Sequence, residues 1–177
     1  MHFLFTALLT SALSHAAPFK VTSQALKPGA TLTPAQVYNS FGCTGENISP
    51  DLQWTNAPTG TKTFAITMYD PDAPTGSGWW HWTLINIPAS VRQIAAGASS
   101  PRGELPEGAL ETRTDFGKPG YGGPCPPPGK PHRYLFKVYA LKDSIPLDKE
   151  ASGAMVGFYA NQLKLAEAVI ETKFGRK

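Results

Sequence analysis

The chain has 177 residues, of which 41% are hydrophobic and 16% charged, and its net charge is +3 at pH 7. This length fits one domain by the usual range of roughly 100–200 residues, and such a domain can bury a core without help from metal ions. The mild, scattered positive charge does not favour a nucleic-acid-binding surface. The 17 glycines and 17 prolines favour many turns, which are more typical of a β domain than of a helical one.

The N-terminus predicts an export signal. An apolar run from Phe3 to Leu13 is followed by Ser14, His15 and Ala16, a small–x–small cleavage pattern. The run is shorter than the roughly 20 apolar residues that span a bilayer. We therefore predict a signal peptide over residues 1–16, a mature domain over residues 17–177 with no transmembrane segment, and a periplasmic or secreted location. The alternative is a buried strand or helix, since no Lys or Arg precedes the run.

The predicted elements of the mature domain are mostly strands. Alternation, or β-branched and aromatic content, predicts strands over residues 19–26, 52–55, 62–69, 81–87 and 133–141. Met155 and Phe158 then follow helical spacing, with Ser152 as a candidate N-cap. Alternation over residues 166–174 predicts a final strand, although this window could also continue the helix. The order favours a mostly β fold, an antiparallel β-sandwich with a short helix near the C-terminus.

The chain has two cysteines, Cys43 and Cys125. In an oxidising compartment two cysteines are expected to pair, so export favours a disulfide between them. Two cysteines are too few for a structural metal site, which needs four ligands. The alternative is two buried free thiols.

The segment "DPDAPTGSGWWHW", residues 70–82, concentrates chemically versatile side chains. Asp70 and Asp72 follow a predicted strand, and each precedes a proline that favours an extended backbone. His81 opens the next predicted strand. Taken singly, an aspartate in a proline-rich turn or a histidine at a strand start is usually structural.

The segment "GYGGPCPPPGKPHRY", residues 120–134, repeats this design and leads into His132 and Tyr134. Two such loops together indicate a binding site at the end of a sandwich. The imidazole N–H groups of His81 and His132, the tyrosine hydroxyl and the glycine amides can donate to a phosphate or carboxylate. The two aspartates would either orient the imidazoles or accept from an ammonium group of the ligand.

Both segments resemble the signature segments of phosphatidylethanolamine-binding proteins, and more narrowly those of the bacterial Raf kinase inhibitor-like (YbhB/YbcL-type) branch. "FGCTGENISPDLQW" and "INIPA" also fit that branch, and the resemblance covers about residues 19–176. It implies an antiparallel β-sandwich with a small cavity at one end. The family's ligand pocket carries over onto Asp70, Asp72, Trp79, His81, Pro126, His132 and Tyr134. Mammalian members have an additional C-terminal helix beside the pocket, so we expect a more open pocket here.

The predicted function is binding of a small anionic or zwitterionic ligand, such as phosphate or a phosphorylated head group, by an exported protein without cofactor or metal. A protein partner is expected but not identified. One alternative is a hydrolase that uses the two aspartates and two histidines, although the sequence has neither Gly-x-Ser-x-Gly nor His-Glu-x-x-His. The other is an inhibitor of a protease or kinase that acts through the pocket rim, since relatives of this family inhibit kinases and proteases. An exported protein would not meet the cytosolic kinases of its own cell.

Overall fold

We describe a computed structural model of the protein over residues 17–177. The predicted signal peptide, residues 1–16, lies outside the described residues. Over the described range, no helix has the length and apolar character needed to cross a membrane.

Residues 17–177 form eight strands and one helix. In chain order these are β1 (Lys20–Thr22), β2 (Leu52–Thr55), β3 (Thr63–Asp70), β4 (Trp79–Pro88), β5 (Gln93–Ile94), β6 (Leu110–Glu111), β7 (His132–Leu141), α1 (Gly153–Leu163) and β8 (Lys164–Phe174). One sheet has the order β1-β2-β5 and the other the order β6-β4-β3-β7-β8. All the strand pairs are antiparallel. The predicted mostly β fold with one short helix near the C-terminus is confirmed.

The main core lies between the two sheets. Phe64, Ile66 and Met68 alternate along β3 and pack in one cluster with Leu52 and Trp54 of β2. These side chains are almost completely buried, so each stabilises the fold by roughly 1.5–3 kcal/mol through burial alone. The alternation seen in the sequence therefore marks the face of β3 that meets the smaller sheet.

The first strand is shorter than the predicted range, residues 19–26, because the chain leaves the sheet at Ser23. Its hydroxyl donates to Asp51 Oδ1 at 3.0 Å, and the amides of Gln24 and Ala25 donate to the same carboxylate at 2.7 and 3.0 Å. These three hydrogen bonds offer the backbone an alternative to continued strand pairing. The structure therefore limits β1 to Lys20–Thr22.

The helix and the final strand lie where the sequence predicts them. Ser152 is the N-cap of α1, and its hydroxyl accepts from the amide of Met155 at 3.3 Å. The window at residues 166–174 belongs to β8, which pairs with β7 from Lys164 to Phe174. The alternation in this window therefore indicated a strand correctly.

The buried face of α1 differs from the one that the apolar spacing suggests. Met155 and Phe158 are 45% and 55% exposed, whereas Gly153 and Gly157 lie against the indole of Trp80. A Cβ atom at these glycines would lie 2.3 and 2.9 Å from the ring, closer than packed carbon atoms approach. Glycine carries no hydrophobic signal, so the spacing predicted the helix but not the face that docks.

Strand order brings the candidate residues to one end of the larger sheet. Asp70 is the last residue of β3, while Trp79 and His132 are the first residues of its two neighbours, β4 and β7. In antiparallel neighbours, the end of one strand lies beside the start of the next. The two sequence segments singled out above therefore meet at the same edge.

Candidate functional site

A cavity of about 370 Å³ opens at this end of the sandwich. Six of the seven predicted ligand-binding residues line it, namely Asp70, Trp79, His81, Pro126, His132 and Tyr134. Its size lies in the range of small-molecule pockets, which is roughly 300–1,000 Å³. The structure thus brings most of the predicted site together.

Asp72 is the predicted site residue that does not line the cavity. Its Oδ2 accepts from the backbone N and the Nε of Arg133, both at 2.9 Å, and its Oδ1 accepts from Nη2 at 2.8 Å. Hydrogen bonds from this guanidinium hold the pKa of Asp72 well below its usual range. Asp72 therefore positions the start of β7.

Asp70 orients His132. The buried carboxylate accepts from His132 Nδ1 at 2.8 Å through Oδ2 and from the amide of Asp72 at 2.8 Å through Oδ1. A carboxylate only accepts, so the proton of the neutral imidazole lies on Nδ1 and Nε2 is left for a ligand. Both oxygens are engaged within the protein, which favours the orienting role over acceptance from a ligand ammonium group.

His81 is held by two hydrogen bonds with Gly122. Nδ1 donates to the Gly122 carbonyl at 2.7 Å, and the His81 carbonyl accepts from the Gly122 amide at 2.9 Å. The pairing of β3 with β4 skips His81, since Met68 lies opposite Trp82 and Tyr69 lies opposite Trp80. This β-bulge directs the ring away from the regular alternation of the strand.

The protonation state of His81 makes its Nε2 an acceptor, whereas a donor was expected. Burial lowers its pKa to about 4, so the ring is neutral at pH 7 with its proton on Nδ1. Nε2 is buried and has no hydrogen-bond partner within the protein. The sequence predicted an N–H donor to an anion, but the neutral ring offers the cavity an acceptor.

The amides of Gly122 and Gly123 are bonded within the protein and are not available to an anion, in contrast to the prediction. The Gly122 amide bonds to His81, and the Gly123 amide donates to Asn47 Oδ1 at 2.7 Å. Gly123 also lies so close to a neighbouring segment that a Cβ would fall 2.0 Å from the carbonyl oxygen of Gln36. The missing side chains of these glycines allow neighbouring backbone segments to pack closely.

Three buried polar atoms of cavity-lining residues lack partners within the protein: His81 Nε2, Trp79 Nε1 and the Tyr134 hydroxyl. Burial raises the pKa of Tyr134, so its hydroxyl remains protonated and can donate. Buried polar groups are nearly always hydrogen-bonded. The cavity therefore offers two neutral donors and one acceptor to whatever occupies it.

Three further residues of the wall were not predicted from the sequence: Phe41, Phe116 and Arg176. The ring of Phe116 lies 5.4 Å from those of both Trp79 and His81, measured between centroids. Arg176 donates from Nε to the carbonyl of Pro126 at 2.7 Å, which places a cation in the wall. Phe41 opens the segment "FGCTGENISPDLQW" but carries no signal for the cavity, while Phe116 and Arg176 lie outside every motif, in the loop after β6 and beyond the last strand.

Cys43 and Cys125 form the predicted disulfide, with their Cα atoms 6.0 Å apart. Cys125 itself lines the cavity, beside Pro126. The bond joins the loop that carries Phe41 to the proline-rich segment of the second predicted loop. Two walls of the cavity are thereby linked covalently.

Over residues 17–177, no group of three or more His, Cys, Asp and Glu side chains is placed to hold a metal ion together.

Comparison with known proteins agrees with the fold and shows the family. The family model for phosphatidylethanolamine-binding protein matches residues 22–175. YbcL of Escherichia coli K12 is 54% identical over 160 residues, which cover 89% of this chain and 87% of YbcL. YbhB of the same organism is 51% identical over 156 residues, which cover 88% of this chain and 99% of YbhB.

A crystal structure of E. coli YbcL, described as a new member of the mammalian PEBP family, superposes with a TM-score of 0.88 at 53% sequence identity. The match covers 91% of this chain and all of that one. The matched family model spans nearly the whole described domain, including both loops that form the cavity. The chain therefore belongs to the phosphatidylethanolamine-binding protein family.

Proposed function

We propose that this protein is an exported binding protein whose cavity takes a phosphate or a phosphorylated head group. The observation that carries the proposal is the set of three buried polar atoms without protein partners, on Trp79, His81 and Tyr134, around one cavity. A phosphate or phosphomonoester monoanion presents several acceptor oxygens and one P–O–H donor, so it can satisfy two donors and one acceptor at once. The ligand-binding character of the family supports the same proposal.

Charge in the wall is compatible with an anion. Arg176 is cationic, and the acidic Asp70 of the wall is hydrogen-bonded to His132. The remaining wall is largely aromatic or proline, and apolar surroundings strengthen each polar contact with a ligand. We therefore place the anionic group near His132 and Tyr134, with any organic substituent against Phe116.

Replacing Tyr134 with phenylalanine removes the hydroxyl and keeps the ring. We expect affinity for inorganic phosphate to fall about tenfold, the equivalent of one lost hydrogen bond, and the unfolding midpoint to stay within about 2 °C of the wild type. Isothermal titration calorimetry at pH 6 measures the affinity. Tyr159→Phe, on helix α1 and away from the cavity lining, is the matched control. If both variants bind phosphate as the wild type does, the hydroxyl takes no part in binding.

Binding is favoured over covalent catalysis by the state of the candidate nucleophiles. The Thr75 hydroxyl donates to the carbonyl of Gly78, and Cys125 is in the disulfide. The Tyr134 phenol has a raised pKa, which makes it a poor nucleophile. We therefore propose a binding protein without enzymatic activity.

Export belongs to the proposal as well, and the disulfide supports it, because disulfides persist in oxidising compartments. We expect protein recovered from the exported fraction of a secretion-competent host to begin at Ala17, since a signal peptidase would cut after Ala16. N-terminal sequencing or intact mass measures this directly. An exported protein that retains Met1 would show that the first 16 residues are an anchor or a structural element.

We also propose that the rim of the cavity contacts a partner protein. Phe41 supports this, because it is 61% exposed beside the opening and exposed aromatic residues are favoured anchors at interfaces. Such contact could modulate a partner, or inhibit an enzyme such as a protease, when the ligand is bound.

A further inference from the structure

We infer that the cavity selects oxyanions that carry an acid proton, because Nε2 of His81 accepts a hydrogen bond from the ligand's own O–H group. This inference rests on the proposed function and specifies its ligand class: monoprotonated phosphomonoesters are taken in preference to sulfate monoesters of the same size and charge. The complex then holds one proton between the ligand oxygen and His81.

The geometry around His81 determines which nitrogen accepts. The carbonyl of Gly122, 2.7 Å from Nδ1, can only accept, so Nδ1 carries the proton. Reciprocal bonding from the Gly122 amide to the His81 carbonyl fixes the same segment. The other neutral tautomer would place a lone pair against that carbonyl and leave Gly122 without its donor. Nε2 of the neutral ring is therefore an acceptor in a buried position.

The charged and titratable groups around His81 come from three other elements. They are Asp70 at the end of β3, His132 and Tyr134 on β7, and Arg176 after β8. Asp70 raises the pKa of His81 and His132 lowers it, but burial is the largest effect and gives a pKa of about 4. Protonation of His81 by solvent is therefore unfavourable above about pH 5.

The remaining cavity groups suit the other oxygens of such a ligand. Tyr134 and Trp79 each present a neutral donor, and the Arg176 guanidinium supplies positive charge. A phosphomonoester monoanion has charged oxygens for these groups and one P–O–H for His81. A sulfate monoester has the same charge but no proton, so its oxygen would face the lone pair of Nε2 unless His81 became protonated.

The matched probes are methyl phosphate and methyl sulfate at pH 5.5. Both carry a charge near −1 there, because the second ionisation of a phosphomonoester lies near pH 6. We expect methyl phosphate to bind about 10- to 30-fold more tightly by isothermal titration. The upper value is the cost of protonating a group of pKa about 4 at pH 5.5, which is tenfold for each pH unit. Both titrations use the same protein at the same pH, so the two probes differ only in the O–H group of the ligand.

His81→Asn is the matched variant. The asparagine amide can still donate to the Gly122 carbonyl, but the acceptor at the Nε2 position is gone. We expect the preference for methyl phosphate to fall below about threefold, with thermal unfolding used to confirm that the variant is folded.

The outcomes separate this inference from the proposed function. Equal affinities of the two probes in the wild type, or an unchanged preference in His81→Asn, would overturn the proton selection and leave an anion pocket in place. If neither probe binds at millimolar concentration, the anion pocket itself is wrong, and the inference is wrong with it. The wild-type comparison stands even if the variant does not fold.

Discussion

Replacing His132 with alanine is expected to lower the free energy of unfolding by about 3 kcal/mol at pH 7 and to weaken phosphate binding at least tenfold. The stability is lost because Asp70, whose side chain is 4% exposed, is left with a buried carboxylate oxygen that has no partner. The affinity is lost because a ring nitrogen in the wall of the cavity disappears. Urea denaturation and calorimetry with inorganic phosphate measure the two effects.

His132→Asn separates these two effects. Its side-chain amide can donate to Asp70 in place of Nδ1 but does not reach the position of Nε2. We expect this variant to recover most of the stability and none of the affinity. If alanine and asparagine leave stability and binding equally unchanged, the contact between His132 and Asp70 has no role in either.

Removal of the disulfide is expected to have an effect of similar size. Cys43 and Cys125 are 82 positions apart, and closing so long a loop stabilises a fold by about 4 kcal/mol in the chain-entropy model. Chemical denaturation of the oxidised protein and of the Cys43→Ser/Cys125→Ser variant should show this difference in the free energy of unfolding. We also expect weaker phosphate binding in the variant, because the bond links two walls of the cavity.

Thiol chemistry provides the control for that comparison. The denatured wild-type protein should contain no titratable thiol before reduction and two after it. Two thiols before reduction would show that the cysteines do not pair. Equal denaturation curves for the oxidised protein and the serine variant would instead show that the pairing contributes nothing to stability.

Most of the sheet could be predicted from the sequence because its signals are local. The alternation of Phe64, Ile66 and Met68 marks a buried strand face without any knowledge of its neighbours. The same holds for β8, whose alternation identified a strand directly after a helix. Helix α1 shows the limit of this approach, since its docking face includes Gly153 and Gly157 against Trp80, and glycine carries no hydrophobic signal.

The composition of the site could be predicted better than its chemistry. Six of seven proposed residues line the cavity, because the two loops lie at the ends of adjacent strands. The predicted donor role of His81 was wrong because the orientation and tautomer of its ring depend on a β-bulge and on the Gly122 carbonyl. That carbonyl lies 41 positions away in the sequence. Arg176 was missed for a similar reason, as only the folded chain brings it to Pro126.

Two acid–base contacts join the start of β7 to the end of β3 and to the turn that follows it, and they have a consequence for how the strands align. Side chains alternate across a sheet, so His132 meets Asp70 on the cavity side while Arg133 meets Asp72 near solvent. A slip of β7 by one residue would turn the guanidinium inward and the imidazole outward. It would also separate Asp70 from its partner in a buried position, which is strongly unfavourable. The acidic pair Asp70 and Asp72 and the basic pair His132 and Arg133 thus favour a single alignment of two strands that are distant in sequence.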